Sequence, residues 1–155
     1  MRAYLGLGSN SGDRSHYLRE AVSALAGPLI EIKAASHIYE TEPWGLKDQP
    51  LYLNQVIEVE TSLEPLELLR FCQEIERRLG RKHGVHWGPR TIDIDVLIYD
   101  NIVSKSEELI LPHPYLEERA FVLTPLREIA PELVLPSGRS ITEVSGEGEV
   151  HTLVF

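Results

Sequence analysis

The segment from Ile92 to Tyr99 constrains what this chain can fold into more than any other feature. Two sets of side chains alternate along it, with Ile92, Ile94, Val96 and Ile98 in one set and Asp93, Asp95, Leu97 and Tyr99 in the other. Because successive residues of a strand point to opposite faces of a sheet, this alternation predicts a β-strand with one wholly apolar face. We expect that face to pack in the core and the strand to lie in the centre of a sheet.

Three more strands and a helix are predicted before this segment. The strands are expected over residues 2–8, 30–34 and 52–59. Apolar residues between Tyr17 and Leu25 recur at helical spacing, and Gly27-Pro28 ends that helix in the usual way. The chain therefore begins with a strand, a helix and two further strands.

A second helix is predicted between the 52–59 strand and the alternating segment. Residues 61–64 match a capping box, so we expect Thr61 to cap this helix, with Pro65 in its first turn and Gly80 at its end. The resulting order, β-α-β-β-α-β, is that of an α/β (α+β) ferredoxin-like antiparallel sheet with both helices packed on one face. Residues 101–155 add a C-terminal extension with a short helix near 119–130 and short strands.

Length and charge favour one soluble domain. The chain has 155 residues, and we expect a single domain over residues 1–155. Its net charge of −9 argues against a general nucleic-acid or membrane-surface binder. Cys72 is the single cysteine, and the sequence shows neither a signal-peptide pattern nor an apolar run of the roughly 20 residues that span a bilayer. We therefore expect a cytoplasmic protein, and a monomer.

Asp93 and Asp95 form the strongest candidate for a chemical site. As residues i and i+2 of a strand they point the same way, about 6.5–7 Å apart at the ~3.3 Å rise per residue of a strand. Mg²⁺ prefers oxygen ligands and is usually held by one or two carboxylates together with substrate phosphates. The pair therefore suits a magnesium site, although two solvated charges or two partners for arginine would show the same spacing.

A cationic segment directly precedes this pair. Residues 70–90 carry six basic and two acidic side chains in an otherwise acidic chain, and Trp87-Gly88-Pro89-Arg90 leads into the predicted strand. Arginines neutralise and orient phosphate oxygens, and Mg²⁺ bridges them, so this arrangement predicts a nucleoside triphosphate site. The sequence has no Walker A motif, so the site is not a P-loop. A solvated helix face is the alternative explanation of the basic charge.

Two other patterns are less specific. Gly6-Leu7-Gly8-Ser9-Asn10 matches a dinucleotide fingerprint only in part, because Ser11 stands where a glycine is required, and a turn after the first strand explains it better. Tyr52 and Asn54 share one face of the 52–59 strand. An aromatic ring beside an amide suits a flat heterocycle, although tyrosine in a strand more often serves packing.

Five ordered blocks resemble one enzyme family along nearly the whole chain. They are residues 6–13, 39–45, 49–54, 87–95, and 111–114 with 119–122. These blocks resemble those of the 6-hydroxymethyl-7,8-dihydropterin pyrophosphokinases of folate biosynthesis. The resemblance implies a ferredoxin-like enzyme that moves the pyrophosphoryl group of ATP to the hydroxymethyl oxygen of the pterin and releases AMP.

The resemblance also implies roles for individual residues. Asp93 and Asp95 would hold two Mg²⁺ ions that bridge the ATP phosphates, and Arg81 and Arg90 would complete the catalytic set by neutralising the triphosphate. Further ATP-binding residues would be Gln73, His86, Trp87, His113 and Arg119, with His86 standing where many members have arginine. The pterin site would consist of Thr41, Glu42, Pro43, Trp44, Tyr52, Asn54, Trp87 and Phe121.

Two non-catalytic functions use the same kind of fold. A nucleotide- or ligand-sensing module needs no paired carboxylates beside a cationic loop, so Asp93 and Asp95 argue against it. A single-stranded RNA binder needs exposed aromatics and a basic sheet face, whereas the face predicted here carries aspartates.

Overall fold

In the computed structural model, residues 1–41, 51–80, 91–148 and 150–153 are described, with residues 151–153 described by their backbone alone. The elements along these residues are β1 (Arg2–Ser9), α1 (Arg14–Leu25), β2 (Ile30–Ala35), β3 (Ile38–Thr41), β4 (Tyr52–Thr61), α2 (Pro65–Arg78), β5 (Asp93–Tyr99), β6 (Ser104–Lys105), β7 (Ile110–Leu111), α3 (Ala120–Ile129), the 3₁₀ helix Ile141–Glu143 and β8 (Val150–Leu153).

The main sheet is antiparallel and has the order β5-β1-β4-β3-β8, with β2 also paired to β4. This arrangement confirms the predicted α+β class, and the predicted elements follow one another in the expected order β-α-β-β-α-β. One further strand that was not predicted, β3, lies between the second and third predicted strands. It follows β2 after Ser36, whose hydroxyl accepts the backbone N–H of Val56 at 3.0 Å, so β2 and β3 pair with opposite ends of β4.

Two hydrophobic cores lie on the two faces of this sheet. The first contains Leu5, Leu7, Ile57 and Val59 from the strands, packed with Leu18, Leu25, Leu68 and Ile75 from α1 and α2. This confirms that both predicted helices share one face. The second core packs Tyr4, Val56 and Leu97 of the opposite face against Val122, Leu123 and Leu126 of α3. Because α3 contacts this face at Tyr4 and Val56, the stretch of β1 nearer Ser9 lies beyond that core.

The predicted central position of β5 is wrong. In the sheet formed by the described residues β5 is an edge strand that pairs with β1. Helix α2 flanks its outer edge, where the buried carboxylate of Glu76 accepts the backbone N–H of Ile94 at 2.8 Å. A helix side chain therefore satisfies an edge amide that a neighbouring strand would otherwise pair.

The predicted alternation of β5 holds only as far as Leu97. The pairing with β1 shifts between Leu5, opposite Val96, and Tyr4, opposite Ile98. This bulge reverses the two faces, so that Ile98 joins the core under α3 and Tyr99 joins the core under α1 and α2. The prediction that Ile98 continues the apolar face of the strand was wrong for this reason.

The capping box of α2 lies three residues beyond its predicted position. Glu64 is the N-cap, and its side chain and that of Glu67 form the reciprocal pair, whereas Thr61 is the last residue of β4. Pro65 is the first helical residue, as predicted. The Thr61 hydroxyl instead accepts the backbone N–H of Leu63 and donates to Leu29 O, which shapes the turn before the helix.

Candidate active site

Two glycines leave part of the sheet face beyond α3 without side chains. In β1, Gly8 lies between Asp93 of β5 and Asn54 of β4, and Gly6 lies between Asp95 and Val56. Directly opposed residues of neighbouring strands share a face. The carboxylates of β5 and the polar residues of β4 therefore flank a trough whose floor is glycine backbone. This is the role of the glycine pattern that the sequence alone assigned to a turn.

The β4 side of the trough is a hydrogen-bonded group of three residues. Asn54 is buried and its Nδ2 donates to the hydroxyl of buried Thr41, which leaves Oδ1 on the side of Gly8. A Cβ at Gly8 would lie 3.1 Å from Asn54 Oδ1 and 3.4 Å from the ring of Tyr52. Gly8 is therefore needed for the amide and the ring to lie over β1, where the structure brings together three of the predicted pterin-site residues.

The β5 side of the trough carries the carboxylate pair. Asp93 and Asp95 are both half-buried on the face shared with Gly8 and Gly6. Among the described residues no group of three or more His, Cys, Asp or Glu side chains could hold a metal ion. Two carboxylates on one strand therefore suit a Mg²⁺ site in which phosphate oxygens and water supply the remaining ligands.

Arg119 is a buried cation above this face. Its side chain is 7% exposed, and its guanidinium carbon lies 4.7 Å from the centroid of the Tyr115 ring and 5.4 Å from that of Phe121. Burial lowers the pKa of Arg119, and the carboxylates of Asp95 and Asp93 oppose that shift. The structure thus brings Arg119, predicted for ATP, to the carboxylate pair and places Phe121 against it.

His113 is a neutral donor in the same region. Burial, and then the positive charge of Arg119, lower its pKa from 6.5 to about 4. Its Nδ1 accepts the backbone N–H of Tyr115 at 3.2 Å, so the proton of the neutral ring is on Nε2. His113 is therefore suited to donate one hydrogen bond without adding charge.

The C-terminal extension fixes the position of Arg119. The backbone N–H of Ala120 donates to Glu147 O at 3.1 Å, and the N–H of Glu147 donates to Glu118 O at 2.9 Å. Gly146 has φ +65°, and a Cβ there would lie 2.8 Å from Ala120 N. The sequence did not predict a role for this segment or for Glu76. The one sequence feature that indicates burial of Glu76 is its position one turn after Cys72, in the apolar stripe of the helix.

Of the remaining predicted site residues, one is described by the structure and seven are not. Gln73 is exposed on α2, the helix that flanks the outer edge of β5. Seven of the predicted residues lie outside the described residues: Glu42, Pro43, Trp44, Arg81, His86, Trp87 and Arg90. Their roles stay predictions.

The sheet, the carboxylate pair and the buried arginine place this protein in the class of α+β enzymes that act on phosphate groups. A family model described as 7,8-dihydro-6-hydroxymethylpterin-pyrophosphokinase (HPPK) matches residues 4–131. This chain belongs to that family.

Similar proteins agree with this assignment. The 2-amino-4-hydroxy-6-hydroxymethyldihydropteridine pyrophosphokinase of Methylorubrum extorquens is 50% identical over 143 residues, which cover 92% of this chain and 90% of the relative. The Bacillus subtilis protein of the same name is 46% identical over 145 residues, 93% of this chain and 87% of that one. The crystal structure of wild-type Plasmodium falciparum HPPK-DHPS with pteroate superposes with a TM-score of 0.72 at 18% identity, over 91% of this chain and 41% of that one, and shows the same fold.

Proposed function

We propose that this protein transfers the pyrophosphoryl group of ATP to the hydroxymethyl oxygen of 6-hydroxymethyl-7,8-dihydropterin on the sheet face described above. The products are AMP and the pterin pyrophosphate, and the reaction is a step of folate biosynthesis. Membership of the family makes the chain an ATP-dependent diphosphotransferase. The trough supports the proposal at the level of residues. Its floor is Gly6 and Gly8, and it has carboxylates along one side and an aromatic ring with an amide along the other.

The two sides of the trough suit the two substrates. On the β4 side, Asn54 Oδ1 can accept an N–H from the edge of the pterin, and Tyr52 can stack on the ring, with Phe121 proposed for its opposite face. On the β5 side, Asp93 and Asp95 would hold Mg²⁺. The hydroxyl of one substrate and the phosphates of the other then meet over the glycines, which is the in-line positioning that phosphoryl transfer needs.

The protein's own groups neutralise the triphosphate and orient it. Arg119 is buried and prepositioned, so it can donate hydrogen bonds to phosphate oxygens without first losing the freedom of a surface side chain. Neutral His113 adds a hydrogen bond from Nε2. Arg81 and Arg90 are proposed as further phosphate ligands, His86 and Trp87 as neighbours of the nucleotide, and Gln73 as a contact from α2.

Asp93 and Asp95 would hold Mg²⁺, proposed as two ions, and the metal would supply charge neutralisation of the triphosphate and a lower pKa of the attacking hydroxyl. Arg119 and His113 would meanwhile hold the phosphates in line with that hydroxyl, while Tyr52 and Asn54 fix the pterin.

No helix of the described residues has the length and apolar character needed to cross a bilayer. We further propose a single-domain, cytoplasmic monomer.

The test is to mix the protein with ATP, Mg²⁺ and the reduced pterin and to identify the products by mass spectrometry. AMP and the pterin pyrophosphate are expected in equal amounts. Formation of ADP, or binding of ATP with no product, would contradict the proposed reaction, the latter in favour of a sensing module.

Variants of Tyr52 and Phe121 test the pterin side. Each Ala variant should weaken pterin binding in calorimetric titrations more than ATP binding, because a stacking contact contributes about 0.5–1.5 kcal/mol beyond area burial. Tyr115→Ala is the matched control on the Arg119 side and should affect ATP instead. Equal weakening of both ligands, with a fall of several kcal/mol in stability, would mean that both are core residues.

A further inference from the structure

The Gly12-Asp13-Arg14 sequence follows β1 and has no part in the chemistry proposed above. Gly12 has φ +70°, and a Cβ there would lie 3.1 Å from the ring of Tyr17. Asp13 caps α1, with its Oδ1 accepting the backbone N–H of His16 at 3.2 Å. This turn fixes Arg14 as the first residue of the helix.

Arg14 joins the ends of two strands through one nitrogen atom. Its Nη1 donates to Glu40 Oε2 at 3.0 Å and to the backbone oxygen of Leu51 at 2.8 Å. Glu40 directly precedes Thr41, and Leu51 directly precedes Tyr52, and these two neighbours are paired in the sheet. The guanidinium therefore links Glu40 to Leu51, the residues that directly precede the two members of the Thr41–Tyr52 pair.

Arg14 acts from the opposite side of the sheet. Tyr39 and Thr41 point to the face of α3 and the trough, because Tyr39 bonds Glu128 of α3 and Thr41 bonds Asn54. Glu40 lies between them in β3 and so points to the face covered by α1 and α2. Arg14 thus supports the β3 and β4 ends from the helix side, without reaching the trough.

The position of this cation is not explained by helix stability. A positive charge at a helix N-terminus opposes the helix dipole, and the N-cap carboxylate of Asp13 satisfies that terminus without help from Arg14. The side chains of Arg14 and Glu40 are 30% and 25% exposed, so their ion pair is partly shielded from water. A residue that breaks a local rule and makes two well-formed contacts elsewhere is expected to serve those contacts.

We propose that Arg14 is a positioning residue of the pterin subsite. It holds the β3 and β4 ends in register, so that Thr41 keeps Asn54 oriented and Tyr52 keeps its ring over Gly8. The inference rests on the proposed function, since it assigns the pterin to this end of the trough. It predicts a defect confined to the pterin, because the two hydrogen bonds of Arg14 go to Glu40 and Leu51, which directly precede Thr41 and Tyr52 on the β4 side of the trough.

The test compares Arg14→Gln with Arg19→Gln, a charge removal at an exposed position of the same helix. Arg14→Gln should raise the KM for the pterin about tenfold, which is the effect of losing a hydrogen bond to a charged group. The KM for ATP should stay within about twofold, and Tm within about 2 °C, since a partly exposed ion pair contributes little stability. Arg19→Gln should match the parent in all three.

Glu40→Gln and the double variant isolate the contact. Gln at position 40 keeps an acceptor oxygen, so Glu40→Gln should raise the pterin KM by less than Arg14→Gln. Adding it to Arg14→Gln should change little further, because the two side chains act as one unit. Arg14→Lys keeps the charge and should restore part of the pterin affinity.

Two results would overturn the inference. One is a pterin KM within twofold of the parent in Arg14→Gln. The other is a parallel rise of both KM values together with a lower Tm, which would indicate a merely structural residue. Should Arg14→Gln fail to fold, Arg14→Met, which keeps an unbranched side chain but removes the charge and the donors, decides by the same criteria. Failure of the parent itself to form AMP would contradict the proposed function instead, and calorimetric pterin binding by parent and variant would then still test the positioning role.

Discussion

Asp93 and Asp95 differ from ordinary surface carboxylates in their surroundings. Their strand is held at its outer edge by Glu76, which accepts the backbone N–H of Ile94 between them, and their charges act on Arg119 above the same face. Among the described residues, the carboxylates of Asp93 and Asp95 outnumber the cation of Arg119 that they act on. A divalent cation and a triphosphate would balance each other there, which is how an acidic protein could bind the proposed anionic substrate.

Asp93→Asn and Asp95→Asn should each reduce turnover by several orders of magnitude while the protein stays folded. Amide side chains keep the shape but remove the charge that holds Mg²⁺, and loss of one of two like charges about 7 Å apart does not destabilise the strand. Steady-state AMP formation and a melting curve measure the two effects. Turnover within a few-fold of the parent in both variants would contradict the metal site.

His113 should make the stability of the protein depend on pH. Its pKa is about 4 in the folded protein and about 6.5 when unperturbed, so the unfolded chain takes up the proton first. The free energy of unfolding therefore has its full value above about pH 6.5 and decreases as the pH drops towards about 4. At about 1.4 kcal/mol per pKa unit the full loss amounts to about 3.5 kcal/mol, of which about 2–3 kcal/mol is reached by pH 4.5. Urea unfolding at pH 7 and pH 4.5 should show a smaller difference for His113→Gln than for the parent.

The comparison with the parent removes the contribution of carboxylates that titrate over the same range. His16→Gln, at an exposed position of α1, provides a histidine control that should keep the parent's pH dependence. A His113→Gln variant with the same loss of stability between pH 7 and pH 4.5 as the parent would contradict the role of His113.

At the scale of elements, α3 is held at both of its ends by segments distant in sequence. At its N-terminus the backbone of Glu147 pairs with Arg119 and bonds Ala120. Near its C-terminus Glu128 accepts hydrogen bonds from the His37 backbone at 3.0 Å and from the hydroxyl of Tyr39 at 2.5 Å, which lower its pKa against the effect of burial. α3 therefore carries Arg119 to a defined place over the trough.

Gly146→Ala should displace the start of α3. The new Cβ would lie within 3.0 Å of three atoms of Arg119, Ala120 and Leu123, of which two are backbone atoms that cannot move aside cheaply. Gly138→Ala is the matched control, because Gly138 also has positive φ, +92°, but nothing lies within 4 Å of its Cβ position. Both variants should lose about 1–2 kcal/mol to backbone strain.

Only Gly146→Ala should lose further stability and raise the KM for ATP, by about tenfold, because Arg119 moves from the phosphates. Chemical unfolding and ATP titration of the two variants measure this difference. If Gly138→Ala raised the KM for ATP equally, the effect would come from general destabilisation rather than from Arg119.

Sequence patterns predicted the elements whose signal is local. The alternation of β5, the apolar stripe of α2 and the spacing of Asp93 and Asp95 each depend on neighbours within a few residues, and the structure has them on the expected elements. The predictions that failed concern features set by residues that are distant in sequence. The bulge at Leu97 is set by pairing with β1, and the edge position of β5 by α2 and Glu76. The support of Arg119 by Gly146 joins segments that no local pattern connects.

At the scale of the whole molecule, the two faces of the sheet have different tasks. The face under α1 and α2 is apolar along β1 from Ala3 to Leu7, with Ala3, Leu5 and Leu7 all buried. The other face is apolar only under α3, and its remainder carries the glycines and the charged groups. One sheet thus carries a hydrophobic core on one side and the proposed substrate site on the other. Because both faces belong to the same strands, binding of a ligand at the site should raise the free energy of unfolding of the whole domain.

ATP should therefore stabilise the whole fold, and only together with Mg²⁺. A ligand at 100 times its Kd adds about 2.7 kcal/mol, which corresponds to about 5–10 °C in Tm for a chain of this size. ATP in EDTA should shift Tm far less, because the carboxylates of Asp93 and Asp95 then repel the phosphates. Asp95→Asn should lose most of the Mg²⁺-dependent shift, whereas Glu107→Gln, an exposed charge removal between β6 and β7, should keep it. Equal shifts with Mg²⁺ and with EDTA, measured by differential scanning calorimetry, would mean that ATP binds away from the carboxylate pair.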